Sequence, residues 1–382
     1  MSALRNLIDK LKPTFTKGGK LGFLESTFDA FETFLFVPDT TTRKGAHIRD
    51  CNDMKRTMIM VVVALMPALL FGFYNTGYMH FLSQGVQPEF WASLWFGFLK
   101  VLPIIVVSYV VGLGIEFAFA QARGHEVNEG FLVTGLLIPM IMPVDIPLWM
   151  VALGTAFSVI FGKEVFGGTG MNVFNPALLA RAFVFFAYTP SISGATVWIA
   201  GLTSGEGVVD GFSGATALEQ LGTNGSMSYS AMDAFLGFIP GSIGETSTLA
   251  ILIGAAILLF TGVASWRTMV SVFVGGLAMG YLFQGLGVTA YPAWYHLIVG
   301  GFAFGAVFMA TDPVTSAQTA TGQYIVGLMT GALAVLIRVV NPAYPEGMML
   351  SILFMNALAP LVDYYVVEAN ISRRKKRVKL AK

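Results

Sequence analysis

Two stretches of the sequence combine small, flexible residues with groups that could hold a ligand. The first runs from Asp210 to Thr216, where an acidic residue is followed by a pliable turn that ends in a hydroxyl group. The second runs from 167 to 175, where glycines let the backbone approach a ligand closely and Asn172 and Asn175 supply amide groups. The same glycines also suit tight turns and helix packing, so a ligand site and a packing role both remain open.

Two acidic residues, Glu116 and Asp363, lie within otherwise apolar stretches of the chain. A charge inside a bilayer is costly unless it is paired or hydrated, so an acid there is typical of an ion pathway. Both positions are also close to the ends of their segments, where an acid can reach the membrane surface instead. The sequence therefore leaves an ion path and a helix-end role open for these two residues.

Cysteine and histidine are too few and too scattered to build a metal centre. The sequence has one cysteine, Cys51, and four histidines with no spacing typical of ligand pairs: His47, His80, His125 and His296. One cysteine excludes an internal disulfide, and neither an iron–sulfur cluster nor a structural zinc site can be built from this chain alone. We assign no metal site, and any redox chemistry would use an organic cofactor or a group on a partner.

The composition of the 382-residue chain is that of a membrane protein. Hydrophobic residues make up 55% and charged residues 12%, whereas soluble domains carry about 25% charged residues. This balance excludes an ordinary cytosolic enzyme, and we expect a lipid bilayer and no nucleic acid as partner. The sequence predicts an all-α polytopic membrane protein whose ten transmembrane helices lie at about 57–75, 98–120, 129–143, 148–163, 175–189, 246–262, 267–286, 294–311, 321–339 and 346–367.

Several of the ten segments are short or interrupted by glycine and proline. Segments 129–143 and 175–189 fall short of the ~20 residues that a straight helix needs to cross ~30 Å of hydrocarbon. Non-helical backbone at membrane depth is tolerated only where protein or water satisfies its polar groups. The short segments therefore predict a binding cavity inside the protein.

Basic residues are concentrated at the two ends of the chain, and the segment 190–245 has none. Because cytoplasmic loops carry an excess of Lys and Arg, ten segments predict cytoplasmic termini and a long outer loop. Arg338 falls near the predicted outer end of its segment, so we expect it to be paired or buried. The predicted regions are an N-terminal extension (1–56), a first five-helix repeat (57–189), the outer loop (190–245), a second five-helix repeat (246–367) and a basic tail (368–382).

The N-terminal extension is amphipathic. Leu24, Phe28, Phe31 and Leu35 recur at helical spacing. Such a stripe suits a helix that lies on the membrane surface or on a neighbour, and it also suits a lid over a site for an apolar ligand.

Matching motifs in the two halves indicate an internal duplication. An Asn-Pro-Ala triplet begins at Asn175 and again at Asn341, and Asp145 has a counterpart in Asp312. The near-constant offset is typical of a repeat, and five segments per copy make the two repeats inverted. Each triplet is expected to begin a helix. Helix N-termini suit a phosphate, a carboxylate or an electron-rich ring, so the repeat predicts two related ligand sites.

Five motifs together resemble the NqrB/RnfD family of membrane-bound redox subunits. The resemblance covers essentially the whole chain, and the extension 1–56 is similar to the NqrB branch, which belongs to sodium-translocating NADH:quinone oxidoreductases. The RnfD subunits of ferredoxin–NAD reductases largely lack such an extension. The five motifs are Asp210–Thr216, the stretch 163–177, His125–Gly130, Pro240–Glu245 and Asn341–Gly347.

The resemblance implies FMN attached through its phosphate to Thr216. The segment that begins at Asp210 and includes Ser213 and Gly214 looks like the recognition sequence of a flavin transferase. A second Ser-Gly-Ala-Thr ends at Thr196 but is preceded by proline where the motif has its acid. We therefore choose Thr216, whose base-free outer loop would offer an accessible hydroxyl.

The resemblance also implies an electron path and a cation path. Electrons from NADH would pass through partner subunits to the FMN, then to a noncovalent riboflavin at Asn172 and Asn175, and then to ubiquinone. Glu116 and Asp363 match acids of the family's path for Na⁺ or H⁺. Gly112 marks the region of a glycine pair near the quinone, and the leucine after it argues against equally close packing there.

The implied partners and location follow the family, and two alternatives stay open. The partners would be NqrA, NqrC, NqrD, NqrE and NqrF, in a bacterial inner membrane with the FMN loop on the periplasmic side. One alternative is an RnfD-type subunit with the same fold and flavin but no quinone, against which the N-terminal extension argues. The other is a secondary transporter without redox chemistry, which an inverted repeat would also suit and which only the flavin motif argues against.

Overall fold

The chain folds into helices and the turns that connect them. Within the part of the chain that the structure describes there is no β-strand, so the predicted all-α class is confirmed. The computed structural model describes every residue except 1, 17–21, 23–27, 29–31, 34, 35, 37–41, 43, 49–53, 125–129, 204, 206–208, 210–212, 342–346, 381 and 382.

Fifteen α-helices are described, and five of them, which we number α2, α3, α11, α14 and α15 below, are long and apolar enough to cross a membrane. Two of the others continue into a π-helical turn: α5 into Ile160–Glu164 and α13 into Gly305–Met309. In chain order the helices are α1 (Ser2–Phe15), α2 (Met54–Ser83), α3 (Phe90–Arg123), α4 (Phe131–Met140), α5 (Leu148–Val159), α6 (Pro176–Ala187), α7 (Thr189–Ile192), α8 (Ala217–Asn224), α9 (Ala231–Leu236), α10 (Thr248–Phe260), α11 (Trp266–Gly285), α12 (Tyr295–Ile298), α13 (Phe302–Phe304), α14 (Ala320–Val340) and α15 (Gly347–Leu380).

All ten predicted segments contain helix, but their lengths differ widely. Helices α4, α6 and α10 have 10, 12 and 13 residues, and the segment 294–311 is divided among α12, α13 and a π-helical turn. At 1.5 Å per residue the three short helices are about 15 to 20 Å long, less than the ~30 Å of a hydrocarbon core. The inverted pairing of the two halves stays a prediction.

The short helices lie inside the protein. Seven of the ten residues of α4 are buried, whereas α3 buries only one residue in each turn or so along its 34-residue length. The main apolar core joins α2, α3, α4, α5, α6, α10 and the π-helical turn after α13, and it includes the fully buried ring of Phe302. Protein rather than lipid therefore surrounds the interrupted segments, as the sequence predicts.

Close packing of glycines holds two of the long helices together. Gly331 of α14 faces the backbone of Val272 in α11, and Gly275 of α11 faces the backbone of Leu328 in α14. A side chain at either glycine would collide with the facing backbone, so these small residues permit the close approach that is typical of membrane helices.

The N-terminal extension is only partly described. Phe28 stacks on Phe15 of α1 with ring centroids 4.8 Å apart, and Lys12 Nζ lies 2.8 Å from Glu32 Oε2. Most of the predicted amphipathic stripe, Cys51 and the His125–Glu129 stretch lie outside the described residues. The role of the stripe stays a prediction.

Candidate functional site

Thr216 lies at the first turn of a helix and beside a cavity. Its side-chain oxygen accepts a hydrogen bond of 3.2 Å from the backbone N–H of Glu219, so Thr216 is the N-cap of α8. The adjoining cavity has a volume of about 240 Å³. We call it the Thr216 cavity; besides Thr216 its polar lining includes Ser193, Glu219, Ser242 and Glu245.

The structure separates the two candidate threonines. Thr216 is half-buried and lines the cavity, whereas Thr196 is exposed and does not line it. Within the motif, Ser213 is exposed and Gly214 is buried, and Asp210 lies outside the described residues. The choice of Thr216 therefore agrees with the position of the cavity, while the role of Asp210 stays a prediction.

A buried arginine lies behind the Thr216 cavity. The guanidinium of Arg181, on α6, donates to Ser242 Oγ and to Glu245 Oε2, at 3.2 Å in each case, and to the carbonyl oxygen of Ile141. The side chain of Arg181 is only 4% exposed. Arg181 thus connects the Pro240–Glu245 turn to α6 and neutralises the carboxylate at the cavity wall.

Arg338 is buried, as the sequence predicts. Its guanidinium donates to the backbone carbonyl of His296 at 2.7 Å and lies 5.6 Å from the ring centroid of Phe302. The arginine is only 5% exposed. It therefore holds α14 against the broken helix α12–α13 rather than indicating membrane topology.

A second cavity lies at the glycine-rich turn. It has a volume of about 110 Å³, its polar lining includes Lys163, Asn172, Asn175 and Asp312, and most of the remaining wall is apolar. We call it the Asn175 cavity. Oδ1 of Asn175 accepts from the backbone N–H groups two and three residues later, at 3.0 and 3.3 Å, and Nδ2 donates to Asp312 Oδ2 at 3.4 Å.

The first Asn-Pro-Ala triplet begins a helix, as predicted, because Asn175 is the N-cap of α6. The triplet at Asn341 cannot be compared with it. Asn341 ends α14, and residues 342–346 lie outside the described part of the chain.

The glycines of the turn are required by its backbone. Gly167, Gly168 and Gly170 have φ angles of 124°, 99° and 90°, a region that other residues rarely adopt. Asn172 Nδ2 donates to the carbonyl of Phe174 at 3.2 Å within the same turn. The turn-forming role of these glycines is therefore established, and their position next to the Asn175 cavity leaves the ligand role as a prediction.

Two short helices separate the cavities. Pro176 at the start of α6 lines the Asn175 cavity, and Phe185 in its last turn lines the Thr216 cavity. Along α10 the order is reversed: Thr246, just before the helix, lines the Thr216 cavity, and Leu258 lines the other. Since α6 has 12 residues, the cavities are separated by roughly 18 Å along its axis. Helices too short to cross a bilayer thus bring two polar cavities close together.

The acid on α3 is paired. The ammonium of Lys163 donates to Glu116 Oε1, and both side chains are 4% exposed. One residue further along the π-helical turn, Glu164 Oε2 lies 3.2 Å from Arg123 Nη1 at the end of α3. Two ion pairs therefore join α3 to the π-helical turn, and the deeper of the two adjoins the Asn175 cavity.

The acid on α15 binds the start of another helix. One oxygen of Asp363 accepts from the backbone N–H of Gln318 at 2.6 Å; the other accepts from the N–H and the hydroxyl of Thr319 at 3.1 and 2.5 Å. Thr319 is itself the N-cap of α14. Asp363 thus has a structural role at a helix N-terminus, where a carboxylate is stabilised, and it remains partly exposed.

Gly112 is buried under an aromatic ring. A side chain at Gly112 would collide with the ring of Phe131, the first residue of α4. A quinone in this region would therefore contact Phe131 before it contacted Gly112.

Reasoning from the sequence did not identify Arg181 and Glu245 as partners, nor Lys163 as the partner of Glu116. One signal was available. Only six basic residues lie between the two basic ends of the chain, and Lys163 and Arg181 are two of them. A basic residue so rare in an apolar chain is typically paired with an acid.

The helices and cavities define a multi-pass α-helical membrane protein whose internal cavities lie at opposite ends of short helices. The family model described as NQR2, RnfD, RnfE family matches residues 41–372, and the chain belongs to that family. The family resemblance inferred from the sequence motifs is therefore confirmed.

Curated relatives match over almost the whole chain. Proteins named as one particular subunit of the Na(+)-translocating NADH-quinone reductase, from Chromohalobacter salexigens, Pseudomonas paraeruginosa and Stutzerimonas stutzeri, are 48%, 46% and 47% identical to it. The matches cover 98%, 97% and 97% of this chain and 96%, 98% and 98% of those proteins. The chain is therefore similar to these reductase subunits from end to end, including the N-terminal extension.

Proposed function

We propose that this chain is the membrane subunit of a Na⁺-translocating NADH:ubiquinone reductase and passes electrons through two flavins to ubiquinone. Membership of the family and the names of its full-length relatives support this function. The observation that carries it is the placement of two polar-lined cavities at opposite ends of α6 and α10. Each cavity would hold one flavin, and the short helices keep the two close.

The Thr216 cavity is the proposed site of covalent FMN. The residues present fit the group, because Thr216 offers a half-buried hydroxyl beside a cavity and lies at the N-terminus of α8. Backbone N–H groups at a helix N-terminus favour a phosphate, so a phosphoester on Thr216 Oγ1 would be stabilised there. Bound FMN would supply electron transfer, and Arg181 would balance the charge of Glu245 beside it.

The Asn175 cavity is the proposed site of noncovalent riboflavin. Its lining suits a neutral, flat molecule with polar edges, because buried amides of Asn172 and Asn175 lie among apolar side chains. The carboxamide of Asn175 is already engaged with the helix backbone and with Asp312. Asn172 and the glycine-rich backbone are therefore the groups that would turn toward a ligand, while Asn175 keeps the wall in place.

The two halves of the chain, 57–189 and 246–367, are proposed to be inverted five-helix repeats. Helices in all ten predicted segments and cavities at opposite ends of α6 support this arrangement. It gives a chain with the extension 1–56 and the tail 368–382 in the cytoplasm of a bacterium. The loop 190–245, with the Thr216 cavity, then faces the periplasm.

The cation path is proposed to include Glu116 and Asp363, with Na⁺ or H⁺ as the transported ion. Both acids have partners in the structure, so a cation would have to displace or share them: Lys163 at Glu116 and the start of α14 at Asp363. Ubiquinone is proposed to bind in the region of Gly112 and Phe131. The partners NqrA, NqrC, NqrD, NqrE and NqrF would deliver the electrons from NADH.

The test uses the denatured subunit. The purified complex is run on a denaturing gel, and flavin fluorescence is recorded at the band of this chain for wild type, Thr216→Ala and Thr196→Ala. Thr216→Ala should abolish the fluorescence and reduction of ubiquinone by NADH, while Thr196→Ala should retain both. Loss of fluorescence in Thr196→Ala alone would show that the other threonine carries the flavin. No fluorescence in the wild-type band would contradict covalent attachment altogether.

A further inference from the structure

Lys163 is buried at the contact between an acid and a cavity. Its ammonium donates to Glu116 Oε1, and the residue also lines the Asn175 cavity. Among the residues that line this cavity, Lys163 and Asp312 are the ionisable ones. The lysine thus lies between two places that can hold negative charge: the Glu116 carboxylate on one side and the interior of the cavity on the other.

The local backbone distinguishes this lysine from its neighbour. Lys163 belongs to the π-helical turn Ile160–Glu164, a rare conformation that is frequent at functional sites. The next residue, Glu164, forms the more exposed ion pair with Arg123, whose side chain is 35% exposed. The outer pair is sufficient to join the turn to α3, so the inner pair is not needed for that purpose alone.

Electrostatics requires that Glu116 always has a cation nearby. A carboxylate that is 4% exposed in a low-dielectric interior is strongly destabilised when its partner is removed. If a second negative charge enters the Asn175 cavity, the single ammonium of Lys163 cannot neutralise both. A lysine is a flexible point charge on a four-carbon stem, so it can turn from one to the other.

We propose that Lys163 is an internal cation that competes with the transported ion for Glu116. When the Asn175 cavity gains one negative charge, the ammonium of Lys163 turns toward it, and one Na⁺ takes its place at Glu116. When that charge leaves, Lys163 returns and the Na⁺ is released. The charges balance at each step: one electron and one Na⁺ enter, and one electron and one Na⁺ leave. This inference rests on the proposed role of Glu116 in the cation path.

The experiment measures equilibrium binding of ²²Na⁺ to the purified complex, oxidised and after reduction with dithionite, at one pH. Wild type should bind Na⁺ roughly tenfold more tightly when reduced, which corresponds to about 1.4 kcal/mol. Lys163→Met removes the competitor and should bind tightly in both states. Glu116→Gln should lose the redox-dependent binding, and adding Lys163→Met to it should change nothing further.

Arg123→Met is the matched control, because it removes the neighbouring ion pair without touching the cavity lining. It should keep the wild-type difference between the reduced and oxidised complex. If Lys163→Met does not assemble, Lys163→Arg replaces it: a guanidinium that stays on Glu116 should weaken Na⁺ binding in both states.

The outcomes separate this inference from the proposed function. If Glu116→Gln loses the redox-dependent binding but Lys163→Met and Lys163→Arg both retain it, the competition is wrong and the cation role of Glu116 stands. If Glu116→Gln binds Na⁺ as wild type does in both states, the cation role itself is wrong and this inference fails with it.

Discussion

The two cavities differ in size, in wall and in the way they could hold a ligand. The Thr216 cavity, of about 240 Å³, is formed largely by loops and by the start of α8, and its threonine is half-buried. The Asn175 cavity, of about 110 Å³, is formed by helix ends, and Lys163, Asn172 and Asn175 are at most 9% exposed. A covalent bond suits the wider, more accessible cavity, because its walls alone bury a ligand less completely. The smaller cavity can retain a ligand by burial.

Charge also distinguishes the two cavities. At the Thr216 cavity the carboxylate of Glu245 is neutralised by an arginine with several fixed hydrogen bonds. At the Asn175 cavity the positive charge is a lysine with one acid partner in the described structure. A multiply bonded guanidinium is suited to a fixed structure and a singly bonded ammonium to movement. The comparison assigns a static electrostatic role to one wall and a variable one to the other.

The largest expected effect is loss of the fixed arginine. Arg181→Met leaves Glu245 without its cation, and breaking a buried ion pair in this way costs about 3 to 5 kcal/mol. We expect a lower midpoint of thermal unfolding and less assembled complex. The double variant Arg181→Met/Glu245→Gln removes the unpaired charge and should recover part of the loss. An Arg181→Met complex as stable as wild type would show that the Thr216 cavity does not depend on a fixed charge.

The second prediction concerns Asp363 and separates an ion role from a helix cap. Asp363→Asn should raise the Na⁺ concentration for half-maximal quinone reduction by roughly tenfold, equivalent to about 1.4 kcal/mol. Thr319→Ala is the control, because it removes the hydroxyl that bonds Asp363 and caps α14 but leaves the carboxylate. NADH oxidation by artificial acceptors should not change in either variant. Equal shifts in both variants would mean that Asp363 acts only through the helix.

The third prediction concerns the wall of the Asn175 cavity. Asn175→Ala removes the N-cap of α6, which typically costs about 1 kcal/mol, and releases Asp312 from its amide partner. The thermal midpoint should fall slightly, and the complex should retain less riboflavin after gel filtration. Thr189→Ala at the opposite end of α6 is the control. Unchanged riboflavin content in Asn175→Ala would separate the ligand from this wall.

The smallest expected effect is a pH dependence at Asp145, the counterpart of Asp312 in the other half. Burial raises the pKa of Asp145 above its usual 3.8, although Gly201 donates to it at 2.8 Å. A carboxyl with a raised folded pKa contributes stability below pH 3.8 that is lost as the pH rises through the folded value. Asp145→Asn cannot ionise, so its stability relative to wild type should increase across that interval. Parallel stability curves would contradict the burial effect.

Much of the fold follows from the sequence, because apolar segments and Gly-Pro interruptions are local signals. Asn175 and the proline after it both favour the start of a helix, and the structure confirms that a helix begins there. The division of segment 294–311 into α12, α13 and a π-helical turn does not follow from the sequence pattern. Its breaks depend on tertiary contacts such as the bond from Arg338 to His296.

The site is only partly predictable for the same reason. A motif can identify Thr216, but the contact between Lys163 and Glu116 joins residues 47 positions apart in sequence. The bonds of Arg181 to Ser242 and Glu245 join positions 61 and 64 apart. Periodicity and composition say nothing about which buried charges meet. Only the packing of α3 and α6 against the loops brings these partners together.

The most direct test of two flavins in one subunit is made on a single sample, the intact complex that carries Thr216→Ala. Its denatured band is examined for fluorescence, and its acid extract is analysed for riboflavin by chromatography. Two independent cavities predict no fluorescence at the band of this chain and riboflavin in the same amount as in wild type. An extract without riboflavin, from a complex that is still assembled, would contradict a second flavin in the Asn175 cavity.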